Sequence, residues 1–164
     1  MINIFPHSGC YKVEVPSFDF SCHRALRNIR IWSHATFDPE WLCTAIASIP
    51  KPSSANPRVP PLRIEIHVSL PHWIMHSGPD DGRVDRYRSM EIDKMVTSWI
   101  AVDTQFSWLI GLDPDALSGT SVTGDAGVGI HLDITIPELT TGPGKGIAGL
   151  MFPVLSTAKL VRLV

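Results

Sequence analysis

The segment TGPGKGIAG, residues 141–149, is the part of the chain closest to a chemical motif, because a Gly-Lys pair in a glycine-rich loop can bind phosphate. A P-loop requires a glycine five residues before that pair and a Ser or Thr directly after the lysine, and these positions hold Leu139 and Gly146. The segment IAGLMFPV that follows contains helix breakers where a P-loop helix should begin. The sequence therefore predicts a turn, with Lys145 in water, rather than a phosphate site.

Three histidines, His67, His72 and His76, lie within the ten residues HVSLPHWIMH and raise the possibility of a zinc site. Zinc binding needs the three rings to converge, but Pro71 separates the first from the other two and no H-E-x-x-H helix is present. The favoured interpretation places His67 on the polar face of a strand and the other two in a loop, with Trp73 covering an edge of the core. Metal binding by this cluster stays open as the alternative.

His131 and Asp133 alternate along an apolar segment, so they share one face of a strand and could act as a base and its orienting carboxylate. No nucleophile in a recognisable setting accompanies them. We therefore predict no catalytic residue and no cofactor, and keep a small metal-dependent or His/Asp-dependent enzyme as the alternative function.

Composition limits the classes of partner. The chain has 164 residues, of which 44% are hydrophobic and five are Trp, enough for a single domain with a core. Fourteen Lys and Arg against sixteen Asp and Glu give a net charge of -2, which does not favour nucleic acid as a partner. No apolar stretch is long enough to cross a membrane and no signal peptide is recognisable at Met1, so a cytoplasmic or nuclear location is expected. The three cysteines are odd in number and lack C-x-x-C spacing, which predicts reduced, buried thiols.

The elements that must position these residues are strands and helices in alternation. Three segments, LRNIRIWS, LRIEIHVSL and GIHLDITIP, alternate apolar and polar residues as half-buried strands do. Asp38 as an N-cap and Pro39 at the first helical position form a helix-start signature, which apolar residues at helical spacing follow. SMEIDKMVTSWIAVDTQFSWLIGL carries a second helical stripe. LMFPVLSTAKLVRLV predicts a short turn and a last strand. Parallel strands joined by helices follow from this order.

The strand LRNIRIWS, the helix PEWLCTAIASIP, the strand LRIEIHVSL, the helix VTSWIAVDTQF and the closing FPVLSTAKLVRLV resemble the leucine-rich C-terminal half of the large F-box protein families of mushroom-forming fungi. Leu26, Ile29 and Ile31 match the L-x-x-I-x-I form of that family's strands. The resemblance implies a substrate receptor of a cullin-type ubiquitin ligase, in which an F-box binds the adaptor and the repeats bind the target. The segment MINIFPHSGCYKVEVPSFDFSCHRA contains no F-box helices, so adaptor binding is not expected.

These observations predict an α/β fold of leucine-rich-repeat-like strand–helix units, arranged as a short partial solenoid with parallel strands. One domain or fragment over 1–164 would contain units at about 26–60, 61–111 and 112–164. The predicted function is non-catalytic protein interaction, with a truncated product lacking a defined function as a further alternative. The partner is expected to be a protein and to bind the polar strand positions, which are Asn28, Arg30, Arg63, Glu65, His67, His131 and Asp133.

Overall fold

The computed structural model describes residues 2–4, 18–23, 25–52, 56, 58–75, 82–112, 129–139 and 145–164, with the backbone alone at 2–4 and 82–86. The predictions for Cys10 and His76 lie outside these residues, as does the first part of the glycine-rich loop, residues 141–144.

Within these residues, five parallel strands form one sheet, and their order across the sheet is their order along the chain. The strands are β1 (Ile2–Ile4), β2 (Asn28–His34), β3 (Leu62–Ser69), β4 (Ile130–Ile136) and β5 (Val161–Leu163). The three central strands coincide with the three alternating segments of the sequence, and each buries every second residue. The predicted α/β class and the parallel pairing are confirmed.

The register of the sheet brings the apolar positions of the central strands into line. Ile29 pairs with Ile64, which pairs with Leu132, and Ile31, Ile66 and Ile134 repeat this arrangement two residues further on. These residues belong to a single buried cluster with the apolar sides of the helices. Burial of apolar surface on one face, at roughly 25 cal/mol per Å², is therefore what holds the sheet to its helices.

The described part of the chain contains five helices, which follow or connect the strands. They are α1 (Glu40–Ala47), α2 (His72–Met75), α3 (Gly82–Leu109), α4 (Ile147–Met151) and α5 (Pro153–Thr157). The long helix α3 contacts α1, α4 and α5, and its Trp99 and Phe106 are fully buried. The Trp99 indole donates a hydrogen bond of 2.8 Å to the Ala35 carbonyl and meets the Phe152 ring edge-on at 5.6 Å. No described helix is long and apolar enough to cross a membrane.

Several helix boundaries differ from the predictions. Helix α1 starts at Glu40, one residue after the predicted Pro39, and the Asp38 carboxylate accepts the Glu40 amide at 3.0 Å. Helix α3 begins at Gly82, before Ser89, the first residue of the predicted helical segment. His72 starts the short helix α2 rather than lying in a loop.

The last part of the chain also departs from expectation. Two short helices, α4 and α5, occupy the segment in which the breakers predicted none. Pro153 does not prevent this, because it occupies the first turn of α5, where its missing N–H is not needed. The expectation of buried thiols is wrong for Cys22, which is exposed, whereas Cys43 is half-buried and burial raises the pKa of its thiol.

Candidate functional site

The face of the sheet opposite the apolar core carries polar and aromatic side chains in register. We call it the polar face, and its members are Asn28, Arg30, Trp32, His34, Arg63, Glu65, His67, Ser69, His131, Asp133, Thr135 and Arg162. All of them are exposed or half-exposed. Because strand residues alternate between the two faces, burying the apolar positions under the helices directs these side chains to the other side.

Each row of the polar face runs across neighbouring strands. Arg63 stands between Asn28 and His131 in the first row, and Glu65 stands between Arg30 and Asp133 in the second. Directly paired strand residues lie roughly 5 Å apart, close enough for side chains in one row to interact. All seven residues predicted for the interaction surface lie in these two rows and the next, which contains His67.

Glu65 is the centre of an ion-pair network. Its Oε2 lies 2.6 Å from Arg30 Nε on β2, and its Oε1 lies 2.7 Å from Arg63 Nε on its own strand. The Glu65 side chain is 17% exposed, against 42% for Arg30 and 58% for Arg63. Such exposed pairs contribute at most about 1 kcal/mol each to stability, so their main effect is to fix the direction of two guanidinium groups.

A stacked pair occupies the next row. The Trp32 and His67 rings are nearly parallel, at 14°, with centroids 5.4 Å apart. His34 lies one row further, where its Nδ1 is 2.7 Å from the Thr36 hydroxyl and burial lowers the pKa of its imidazole. The row of Trp32 and His67 therefore presents a flat, pre-oriented aromatic surface beside the charged rows, a combination common in protein-binding sites.

At the edge of the sheet, β5 contributes a second ion pair. Arg162 Nη2 donates to Asp133 Oδ2 at 2.6 Å. Beside this pair is an open pocket of about 600 Å³. Its lining residues are Arg63, His131, Leu132, Asp133, Lys159, Leu160, Val161 and Arg162.

The described residues considered for catalysis and metal binding make other contacts. Asp133 forms an ion pair with Arg162, and His131 is exposed. His67 stacks on Trp32 while His72 is exposed at the start of α2. Within the described part of the chain, no group of three His, Cys, Asp or Glu residues could hold a metal ion.

Among the described residues, the end of the glycine-rich loop has the conformation of a turn, and the strand order has no reversal. Lys145 is exposed, and Gly146 has a φ of 75°, as in a turn. Ligands of open parallel sheets usually bind where the strand order reverses. The order of this sheet runs from β1 to β5 without reversal.

Sequence reasoning missed five members of the polar face, which are Trp32, His34, Ser69, Thr135 and Arg162, and also Lys159, which lines the pocket. Trp32 continues the alternation of Asn28 and Arg30, so the pattern itself could have included it. Arg162 stands between Val161 and Leu163 in a strand of three residues, which is too short to show a pattern. The position of Lys159 beside the sheet depends on how the chain folds back from α5, which no local signal gives.

A buried carboxylate was also missed. Asp103 on α3 is 1% exposed, and its two oxygens accept the backbone amides of Val154 at 3.1 Å and Leu155 at 3.0 Å. Burial raises the pKa of Asp103, while these two hydrogen bonds act in the opposite direction. The signal was an Asp on the apolar stripe of a helix, four residues after Trp99.

Comparisons of the chain with protein-family models, with curated proteins and with solved structures found no match.

Proposed function

We propose that this chain is a non-catalytic protein-interaction module built from leucine-rich-repeat-like units, with the polar face as its binding surface. The observation that carries the proposal is the division of the sheet into two faces. The described helices share one core with the apolar strand positions, whereas the polar face remains accessible to solvent. In a solenoid of strand–helix units, the accessible sheet is the surface on which partners bind.

The topology supports this proposal. Sequential parallel strands, with the described helices packed against one apolar side of the sheet, are what stacked repeats produce. The resemblance to the recognition half of an F-box receptor implies the same use of the sheet.

The size of the polar face sets a bound on the interface. Strands about 4.8 Å apart with a rise of about 3.3 Å per residue give β2 to β5 an area of roughly 400 Å². A standard interface buries about 800 Å² on each partner. The polar face alone would therefore support a small or transient interface, and loops at the sheet edges would have to extend it.

Charge reversal on the polar face tests the proposal. We expect the combined change Arg63→Glu and His67→Glu to abolish capture of specific partners from cell extract, and to weaken at least tenfold the direct binding of each partner once purified. The thermal midpoint should change little, because both side chains are partly exposed. The matched control is Lys94→Glu with Thr104→Glu, at two exposed positions of α3. Partners retained equally by both double variants would refute the polar face as the binding surface.

A further inference from the structure

The pocket beside β5 is framed by an interruption of the sheet. β5 pairs with β4 only from Ile134 onward, where the Ile134 amide donates to the Leu160 carbonyl at 3.1 Å. In a parallel ladder, every second residue of a strand bonds to the same neighbouring strand. Leu132, two residues before Ile134, therefore also directs its backbone N–H and C=O toward the β5 side of β4. The Leu160 amide is turned away to the Leu155 carbonyl at 2.9 Å. The wall of the pocket therefore contains backbone polar groups that no strand of the described residues pairs with.

The turn that makes this interruption holds a lysine in an unusual conformation. Lys159 follows the end of α5 with a φ of 59°, and its amide donates to the Ser156 carbonyl at 3.0 Å. Together with the bond from Leu160 to Leu155, this is a Schellman motif, whose left-handed position is usually glycine. A lysine there carries a steric cost that glycine would avoid. Its side chain lines the pocket, which gives the lysine a use that glycine could not serve.

Positive charge exceeds negative charge on this part of the molecule. The polar face and pocket carry four cations, Arg30, Arg63, Lys159 and Arg162, against two carboxylates, Glu65 and Asp133. Both carboxylates are already in ion pairs, whereas Lys159 has no ion-pair partner among the described residues. The local excess of two positive charges contrasts with the net charge of -2 of the whole chain.

We propose that the pocket binds the carboxylate of an acidic peptide segment of the partner protein, an inference that rests on the proposed function of the polar face. Lys159 supplies an unpaired ammonium, and the guanidinium groups of Arg63 and Arg162 retain N–H donors beyond those bonded to Glu65 and Asp133. The backbone N–H of Leu132, which the ladder directs toward this side, is a further donor at the wall of the pocket. An Asp or Glu side chain fits the charge of the site.

A labelled peptide of alternating Glu and Gly tests this inference, with binding followed by fluorescence anisotropy at low salt. We expect saturable binding that weakens as salt is raised, and a loss of about three- to tenfold in Lys159→Gly. Because glycine accepts the left-handed conformation, this variant should also have a thermal midpoint higher by roughly 2–4 °C. Weaker binding by a more stable protein excludes unfolding as the cause.

Two further variants and two further probes complete the test. Lys159→Asn also removes the charge and tolerates the left-handed conformation, so it should weaken binding similarly. The control Lys145→Gly changes an exposed lysine outside the pocket and should bind as the unmodified chain does. Wild-type affinity in both folded Lys159 variants, or an equal loss in the control, would overturn the inference. So would inorganic phosphate or single-stranded DNA binding more tightly than the peptide, at the same site.

The outcome separates this inference from the proposed function. If the acidic peptide fails to bind while charge reversal at Arg63 and His67 still abolishes partner capture, the polar face stands and the acidic segment is refuted. If the peptide binds through Lys159 but charge reversal leaves partner capture unchanged, the pocket remains a site for acidic peptides, whereas the polar face is refuted as the protein-binding surface and the peptide is not assigned to the partner protein.

Discussion

Replacing Asp103 by Asn should destabilise the protein although the two side chains have the same shape. The carboxylate accepts one amide with each oxygen, at the first turn of α5, and is almost fully buried. Asn has one oxygen, so either Val154 or Leu155 loses its acceptor and faces an NH₂ donor instead. A hydrogen bond to a charged group is worth about 1.5–3 kcal/mol, and a buried amide left unsatisfied costs about 1–3 kcal/mol.

The loss is partly offset because Asn does not bury a charge. Burial raises the pKa of Asp103, which means that the ionised form is held at a cost. We therefore expect Asp103→Asn to lower the free energy of unfolding by about 2 kcal/mol at pH 7. For a chain of this length the thermal midpoint would fall by roughly 4–8 °C. Asp93→Asn, at an exposed position of the same helix, should change the free energy by less than about 0.5 kcal/mol.

The contribution of Asp103 to the free energy of unfolding depends on pH, and its pKa gives the sign of that dependence. Since the pKa of Asp103 is higher in the folded chain, the unfolded chain loses this proton first as pH rises from the ordinary value of 3.8. The stability that Asp103 contributes is therefore largest below that value and declines as pH rises through the folded pKa. Urea unfolding of the unmodified chain and of Asp103→Asn between pH 4 and pH 7 measures the difference between their free energies of unfolding. Equal stability of the Asp103 and Asp93 variants, or a difference that grows with pH, would refute this account.

Two further substitutions test the core and the entry to β4. Trp99→Phe should cost about 2–3 kcal/mol, because it removes the donor to a buried carbonyl and leaves a cavity, whereas Trp108→Phe at an exposed position should cost little; urea titration measures both. Gly129→Ala should lower the thermal midpoint more than Gly111→Ala, because both have positive φ but only at Gly129 would a new Cβ meet the Arg58 carbonyl oxygen, at 2.4 Å. Equal shifts of the midpoint in the two alanine variants would contradict the steric explanation.

The central strands were predictable because their burial follows the simplest physical rule. Each of them alternates between core and solvent over seven or eight residues, enough to give a period of two in the sequence. β1 was missed because three residues, Ile2–Ile4, cannot show a period, and it exists only through its pairing with β2. Apolar alternation therefore predicted the strands that have one buried face and one exposed face. It missed β1, which is defined only by its pairing with β2.

Helix boundaries were less predictable, for reasons that lie in tertiary packing. Gly82 is a poor helix former, yet α3 extends back to it. The breakers at Gly149 and Pro153 predicted no helix, but Gly149 is exposed within α4 and Pro153 begins α5. α5 is in addition fixed from outside by Asp103, a residue about fifty positions earlier. A local pattern cannot contain that contact.

The residues of the polar face were largely predictable from the sequence, but the contacts between them were not. Alternation alone placed Arg30, Arg63 and Glu65 on one face, since direction on a strand depends only on parity. The Arg30–Glu65 ion pair depends on the register between strands, which sets Arg30 opposite Glu65. The carboxylate of Asp133 pairs with Arg162 rather than with His131, the base considered for it, because β5 lies beside β4.

The buried carboxylate and the proposed pocket are joined through one short helix. Asp103 fixes the first turn of α5, and the last turn of α5 ends in the Schellman motif that sets the conformation of Lys159. That motif turns the Leu160 amide away from β4 and delays the start of β5, which opens the pocket. A single buried side chain on α3 therefore helps to position a cation on the opposite face of the sheet. For this reason the apolar side of the molecule determines the geometry of the binding surface, although in the proposed function it contacts no partner itself.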